Sequence, residues 1–370
     1  MILIKNADVY QPEHIGINDI LIGGEKILAI QPKIDISLEG LRVIDAEGAI
    51  VHPGYIDGHV HAIGGGGESG MISRVPALTE KKIAAAGVTT IVGLLGTDGT
   101  TRSVRDLVAK IQGYKEWGLS AYCLTGSYQV PTKTITGSIG DDITFINEII
   151  GVKVAIADHR CSFPTTSELI RMASEARIAS LMSKKCGIVH FHVGADKLGI
   201  SQLFEIINTT PLPIKHLYPT HMGNHLDQAE EWLKLGGHID ITCHDEAPNQ
   251  VIKLLSTNQD NLTISTDSNG SFPKWNEKRE IIGMGAGSIL ELPKTVEAII
   301  NKGVDRTTAY KLVTTNPAKA LSFTSKGLLK VGYDADIDIE VEGKLRTCIS
   351  RGNILVDEYN AKPSMYDDCV

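Results

Sequence analysis

The chain has 370 residues, 42% of them hydrophobic, enough to bury a large core in one big domain with a smaller companion, and this composition excludes a disordered protein. Its 36 basic and 44 acidic residues leave a formal net charge of −8 without long like-charge runs, so neither nucleic acid nor a membrane surface finds an electrostatic footprint, and small-molecule partners are favoured. Residues 1–10 alternate apolar with polar side chains, unlike a secretory leader, and no stretch approaches transmembrane length, so the expected location is the cytoplasm.

Up to about Pro53, short strands are predicted over 2–10, 19–30 and 41–45, punctuated by Gly, Pro and Asn. The pattern then changes to apolar strands alternating with helical segments, the mark of βα units around a parallel sheet. Eight such strands are predicted, over 55–61, 89–95, 121–126, 152–158, 187–193, 215–221, 238–244 and 262–267. Beyond about Gly327 strands return, over 336–341, 345–350 and 353–357. The expected fold is α/β: a (β/α)8 TIM-type barrel over 54–327, with a small β-sandwich domain formed from both chain ends, 1–53 and 328–370. An open doubly wound sheet is the alternative. No GxGxxG follows the first strand, however, and the glycines at 64–67 lack the Lys-Ser/Thr pair of a phosphate loop, so nucleotide binding has no support. Cys123, Cys161, Cys186, Cys243, Cys348 and Cys369 form no CxxC pair and read as free thiols in the core.

The strongest chemical signal is His59-Val60-His61 at the end of the first barrel strand, where alternate residues point the same way and two imidazoles can converge on a metal. Paired histidines also occur as ordinary polar residues at strand ends. The C-terminal strand ends of a barrel carry its active site, and Lys153, His192, His221 and Asp267 fall at or toward such ends as further candidate ligands. Lys153 lies within an apolar strand. Taken alone it reads as a lysine reaching out of the barrel to a carboxylate. The sharper alternative is that its amine, once deprotonated, adds carbon dioxide and becomes a carbamate able to bridge two metals. His190 shares the parity of His192 but lies further from the strand end and reads as a core histidine, as does His216 relative to His221; His159, His238 and His244 read as supporting groups. Asp267, in Ser265-Thr266-Asp267-Ser268, can be a helix N-cap or a metal ligand that moves protons.

Together these residues resemble the amidohydrolase superfamily, and within it the isoaspartyl dipeptidase family, over essentially the whole chain. The motifs are Gly58-His59-Val60-His61 with Gly64-Gly65-Gly66-Gly67-Glu68, Thr125-Gly126-Ser127-Tyr128-Gln129-Val130-Pro131, Ala157-Asp158-His159-Arg160, Pro219-Thr220-His221 and Ser268-Asn269-Gly270-Ser271. The resemblance implies two divalent metal ions, zinc first among the candidates. His59, His61 and Asp267 would hold one, His192 and His221 the other, and carbamylated Lys153 would bridge them. It also implies hydrolysis of the isopeptide amide of a β-aspartyl dipeptide by a hydroxide shared between the metals, with Asp267 shuttling the proton. Tyr128 would stabilise the carbonyl oxygen, Glu68 would bind the substrate's amino group, and Arg160 and Ser271 its carboxylate. A homo-oligomer, commonly an octamer, comes with the resemblance.

One departure stands out. Where this family carries an arginine after the sixth-strand histidine, the chain reads His221-Met222-Gly223-Asn224-His225. Asn224 can hydrogen-bond a carboxylate but lacks the arginine's charge and fork, and a protonated His225 is one expected substitute. The other readings are a D-aminoacylase-like or dihydroorotase-like amidohydrolase and a non-catalytic assembly protein on the same fold; the intact ligand set speaks against the last. The glycines at 64–67 suggest a loop that hinges over substrate.

Overall fold

The computed structural model describes residues 1–276 and 281–365. Near the N-terminus five strands form: β1 (Ile2–Tyr10), β2 (His14–Gly23), β3 (Lys26–Gln31), β4 (Arg42–Asp45) and β5 (Ile50–Pro53). The predicted strand over 19–30 is thus two strands of a hairpin, because Gly24 takes a left-handed conformation (φ 57°) that turns the chain back.

Eight parallel strands follow: β6 (Tyr55–Val60), β7 (Val88–Gly93), β8 (Ser120–Gly126), β9 (Ile149–Ile156), β10 (Ile188–Val193), β11 (Leu217–Thr220), β12 (Ile239–Thr242) and β13 (Leu262–Ser265). Strands β6 to β11 pair in sequence order and β12 pairs with β13, while a bridge between Ser268 and Val60 closes the ring. A helix follows each strand, and helices and barrel interior cover the strands so fully that those eight are buried nearly throughout. Helix starts are marked where the sequence supplies caps: Ser103 accepts from Asp106 N, and Thr165 forms a capping box with Glu168. After β13 a hairpin, β14 (Ser271–Trp275) and β15 (Ile281–Ala286), precedes the last helices.

The C-terminal strands β16 (Ile337–Val341), β17 (Lys344–Ser350), β18 (Asn353–Asp357) and β19 (Asn360–Ala361) join β1–β5 through antiparallel pairing of β16 with β5. The two chain ends therefore share one nine-stranded hydrogen-bonded network, which forks where β1 pairs first with β4 and then with β5. Ile4, Ile20, Ile22, Val51, Ile337 and Ile349 belong to its own apolar core.

Candidate metal centre and active site

Six of the eight barrel strands end one or two residues earlier than predicted, β8 and β10 where predicted; His59, His61, His192, His221 and Asp267 stand at or just past strand tips, whereas Lys153, expected at a strand end, lies inside β9. β11 ends at Thr220 and β13 at Ser265. His221 (φ 64°) and Asp267 (φ 51°) then adopt left-handed backbone conformations, uncommon for non-glycine residues and concentrated at functional sites. In β9 and β10, Lys153 lies beside His190 and Ala155 beside His192.

His59, His221 and Asp267 each offer a ligand atom within 4.8 Å of the others. Asp267 Oδ1 lies 2.9 Å from His61 Nε2 and 3.2 Å from His59 Nε2. Lys153 Nζ and His221 Nε2 are buried without a hydrogen-bond partner, and Lys153 is fully buried. Burial, and then the neighbouring Lys153, lowers the His59 pKa to about 3, so its ring is neutral, the form that ligates. The burial of Lys153 Nζ without a partner rules out the outward-reaching, ion-paired lysine, and it lowers the Lys153 pKa to about 7, making a free amine accessible near neutrality. Unpaired nitrogen atoms converging beside a buried carboxylate fit a divalent cation.

The second ring nitrogens of His59 and His221 are held from behind, while that of His61 is buried without a partner. His59 Nδ1 lies 3.0 Å from His190 Nε2, and His221 Nδ1 lies 2.6 Å from Thr242 Oγ1. His190, read from sequence as a core residue, is indeed buried, yet it backs the candidate ligand His59; its shared strand parity with His192 was the available signal. His192 meets His221 edge-on with ring centroids 4.5 Å apart, but both its nitrogens are engaged, Nδ1 with Tyr128 Oη at 2.6 Å and Nε2 with Asp158 Oδ2 at 2.7 Å.

His61, His192, His221 and Asp267 border a cavity of about 920 Å³ at the barrel mouth. On its wall Glu68 Oε1 accepts from Ser271 Oγ (2.8 Å) and lies 3.4 Å from Arg160 Nη1. The Arg160 fork grips Asp158 through Nη2 (2.7 Å) and Nε (3.0 Å), and its guanidinium lies over the Tyr128 ring. Burial alone would raise the Asp158 carboxyl, but hydrogen bonds from His192 and Arg160 outweigh it and hold the pKa far below the usual range. Burial drives the Tyr128 phenol well above 10, against the pull of Arg160, so it stays a proton donor. Asp158 thus joins Arg160 on the cavity wall to the candidate ligand His192, a link not legible from its place in the Ala157-Asp158-His159-Arg160 motif.

Two expectations need correction. Asn224 lines the cavity, but His225 Nε2 is 2.8 Å from Gly194 O and the ring is not part of the lining, so it cannot stand in for an arginine there. The glycine run is not a free hinge: a Cβ on Gly64 would fall 1.9 Å from Val75 O and one on Gly66 2.4 Å from Ser73 O, while Arg102 Nη2 donates to Gly65 O (2.9 Å). These glycines permit close backbone packing that fixes the loop carrying Glu68.

A sequence profile of the Amidohydrolase family matches residues 50–341. The beta-aspartyl dipeptidase of the thermophilic, keratin-degrading Fervidobacterium islandicum AW-1, solved in complex with beta-Asp-Leu dipeptide, is 38% identical over 99% of this chain and 100% of that one, with a TM-score of 0.94. The chain belongs to the beta-aspartyl dipeptidase family of amidohydrolases. Other amidohydrolase-like folds lie further off: the N-acetylglucosamine-6-phosphate deacetylase of Pasteurella multocida superimposes with a TM-score of 0.68 at 16% identity, over 96% of this chain and 99% of that one, which shows the fold alone. The dihydroorotase of Lactobacillus johnsonii is 29% identical over 232 residues, 60% of this chain and 52% of that protein, so the match spans about half the length of that curated relative. No described helix is long and apolar enough to cross a membrane.

Proposed function

We propose that this beta-aspartyl dipeptidase relative hydrolyses the isopeptide amide of β-aspartyl dipeptides. The observation that carries the reading is the meeting, around one cavity, of the His59, His61, His221 and Asp267 cluster with the Glu68, Ser271 and Arg160 wall. His59, His61 and Asp267 would hold one divalent ion, zinc by ligand type, His192 and His221 the second, and Lys153 would bridge as a carbamate. When bound, the ions acidify water and polarise the scissile carbonyl.

Asp267 takes the proton of the attacking water and delivers it to the departing amine. Tyr128, a buried phenol that keeps its proton, donates to the developing oxyanion. Glu68 pairs with the substrate's ammonium, and Ser271 already orients that carboxylate. Arg160 meets the substrate's carboxylate, and Asn224, which lines the same cavity, adds a neutral hydrogen bond. His192 must release one of its two present partners to ligate. We further infer a homo-oligomer, as an octamer, and a cytoplasmic setting, which suits the five unpaired cysteines among the described residues.

The test is turnover of β-Asp-Leu against α-Asp-Leu and dihydroorotate by zinc- and bicarbonate-reconstituted protein, with bound metal quantified in the same sample. Selective cleavage of β-Asp-Leu is expected. Metal-loaded protein that opens dihydroorotate and spares β-Asp-Leu would overturn the assignment.

A further inference from the structure

The barrel wall is not hydrogen-bonded all the way round. Backbone ladders join β6 through β11 and join β12 to β13, but among the described residues none joins β11 to β12, and β13 meets β6 only at the Ser268–Val60 bridge. Each of these seams contains one buried carboxylate, Asp240 in β12 and Asp57 in β6.

Asp240 Oδ2 accepts from Thr220 Oγ1 of β11 (2.6 Å) and from Ser265 Oγ of β13 (2.6 Å), and its Oδ1 accepts from Thr263 Oγ1 (2.8 Å). Asp57 Oδ2 accepts from Thr266 Oγ1 (2.5 Å), while its Oδ1 accepts from Thr266 N (3.3 Å) and His59 N (3.1 Å). Neither carboxylate has an ion-pair partner among the described residues. Burying such groups is costly, and apolar side chains would pack the strands at lower cost if packing were all the seams required.

What these carboxylates grip is informative. Thr220 immediately precedes His221, Thr266 immediately precedes Asp267, and the His59 amide is held directly. Where a ladder runs, backbone hydrogen bonds fix the relative height of neighbouring strands; across the seams that work passes to these side chains, to the His221–Thr242 and Tyr218–Thr263 contacts (2.6 Å each) and to one bridge. A carboxylate suits the task because it is acceptor-only and can receive three donors from two strands.

We propose that Asp57 and Asp240 are positioning residues that set the relative placement of His59, His221 and Asp267 across the two seams of the barrel. The consequence for metal rests on the ligand assignment given above. Thr220→Val and Thr266→Val each delete one cross-seam hydroxyl at nearly constant shape. Asp57→Asn and Asp240→Asn keep every link, since the amide oxygen still accepts and the amide nitrogen can donate to Thr266 or Thr263 Oγ1.

The experiment has two readouts on the full-length chain. Hydrogen exchange of the metal-free protein is expected to quicken about tenfold in peptides over 217–225 for Thr220→Val and over 262–270 for Thr266→Val, with peptides over β7–β9 unchanged. Zinc affinity, from chelator competition, is expected to weaken about tenfold in both valine variants and to stay within about threefold of wild type in both asparagine variants. Wild-type exchange at both seams overturns the proposal, as does a loosened seam with undiminished zinc affinity. If one valine variant fails to fold, the other carries both readouts. A wild-type chain that takes up no zinc removes the ligand assignment, and the exchange result then decides the seams by itself.

Discussion

Replacing Tyr128 by Phe removes one oxygen and little else. The side chain is buried, its ring lies beneath the Arg160 guanidinium, and its hydroxyl makes a single contact, 2.6 Å to His192 Nδ1. Losing that hydrogen bond costs the ground state about 1 kcal/mol, and no cavity larger than one oxygen is left. If the hydroxyl donates to the oxyanion, the transition state loses far more: one such donor is worth ~3–4 kcal/mol, or about 100- to 1000-fold in kcat. The expected signature is a fall of that size in kcat for β-Asp-Leu with KM changed by less than about fivefold, because the interaction strengthens only as the carbonyl oxygen gains charge. Initial rates must be read on samples whose zinc content is measured, since His192 loses a partner and its affinity for metal can rise. A kcat within about threefold of wild type at equal zinc content would refute the donor role and leave Tyr128 a packing residue.

Three further outcomes are expected. Asn224→Arg restores charge at the cavity wall and should lower KM for β-Asp-Leu about tenfold with kcat little changed; an unchanged KM means that the substrate carboxylate does not reach this position. Lys153→Met removes a buried amine with no hydrogen-bond partner, so the metal-free protein should gain ~2 kcal/mol or more against denaturant while zinc uptake and activity collapse; a destabilised variant would show that the amine is paired after all. Asp338, fully buried between His52 and Cys348 on neighbouring strands, has its pKa pushed up by burial to about 8. The folded chain thus keeps this proton where the unfolded chain, near pH 4, has released it. Its stability contribution is complete in acid and lost as the pH rises toward 8, at up to ~1.4 kcal/mol per pH unit. Asp338→Asn should flatten that slope between pH 5 and 8, and denaturation curves of equal pH slope in both proteins would exclude the shift.

The barrel was legible because its strands are continuous apolar runs, and the sequence periods locate all eight within a few residues. The hairpin over 14–31 was not, since Gly23-Gly24-Glu25 interrupts what reads as one apolar run with only a turn's worth of residues. Candidate ligands could be named because strand parity and strand ends dictate where side chains point. Their partners could not: the double engagement of His192 and the turn of His225 toward Gly194 depend on neighbours brought together from separate βα loops, and the pairing of Arg160 with Asp158, two residues apart in one loop, depends on how that loop turns. Reading Lys153 correctly also needed the fold, for the outward-reaching alternative fails only once Nζ is seen buried inside the barrel.

The two halves of the site are held by different physics, and this bears on which half can change. Metal-floor residues are fixed by the barrel interior: His59 leans on His190, His221 on Thr242, and the seams on Asp57 and Asp240. Truncating any of them, unlike the aspartate-to-asparagine exchanges, leaves a buried polar atom without a partner, which costs stability as well as chemistry. The substrate wall is built from loop residues, among them Glu68 and Asn224, set in short turns beyond the strand ends. Asn224 sits in such a turn, so exchanging an arginine for it strands no buried group and leaves the barrel intact. A chain can therefore keep the whole metal floor while its substrate wall drifts, which is why ligand identity alone separates a dipeptidase poorly from a dihydroorotase. On the proposed function the decision falls on Glu68, Ser271 and Arg160, whose mutual contacts pair an anion with a cation, a wall suited to a substrate that carries both an ammonium and a carboxylate, where dihydroorotate carries only the carboxylate.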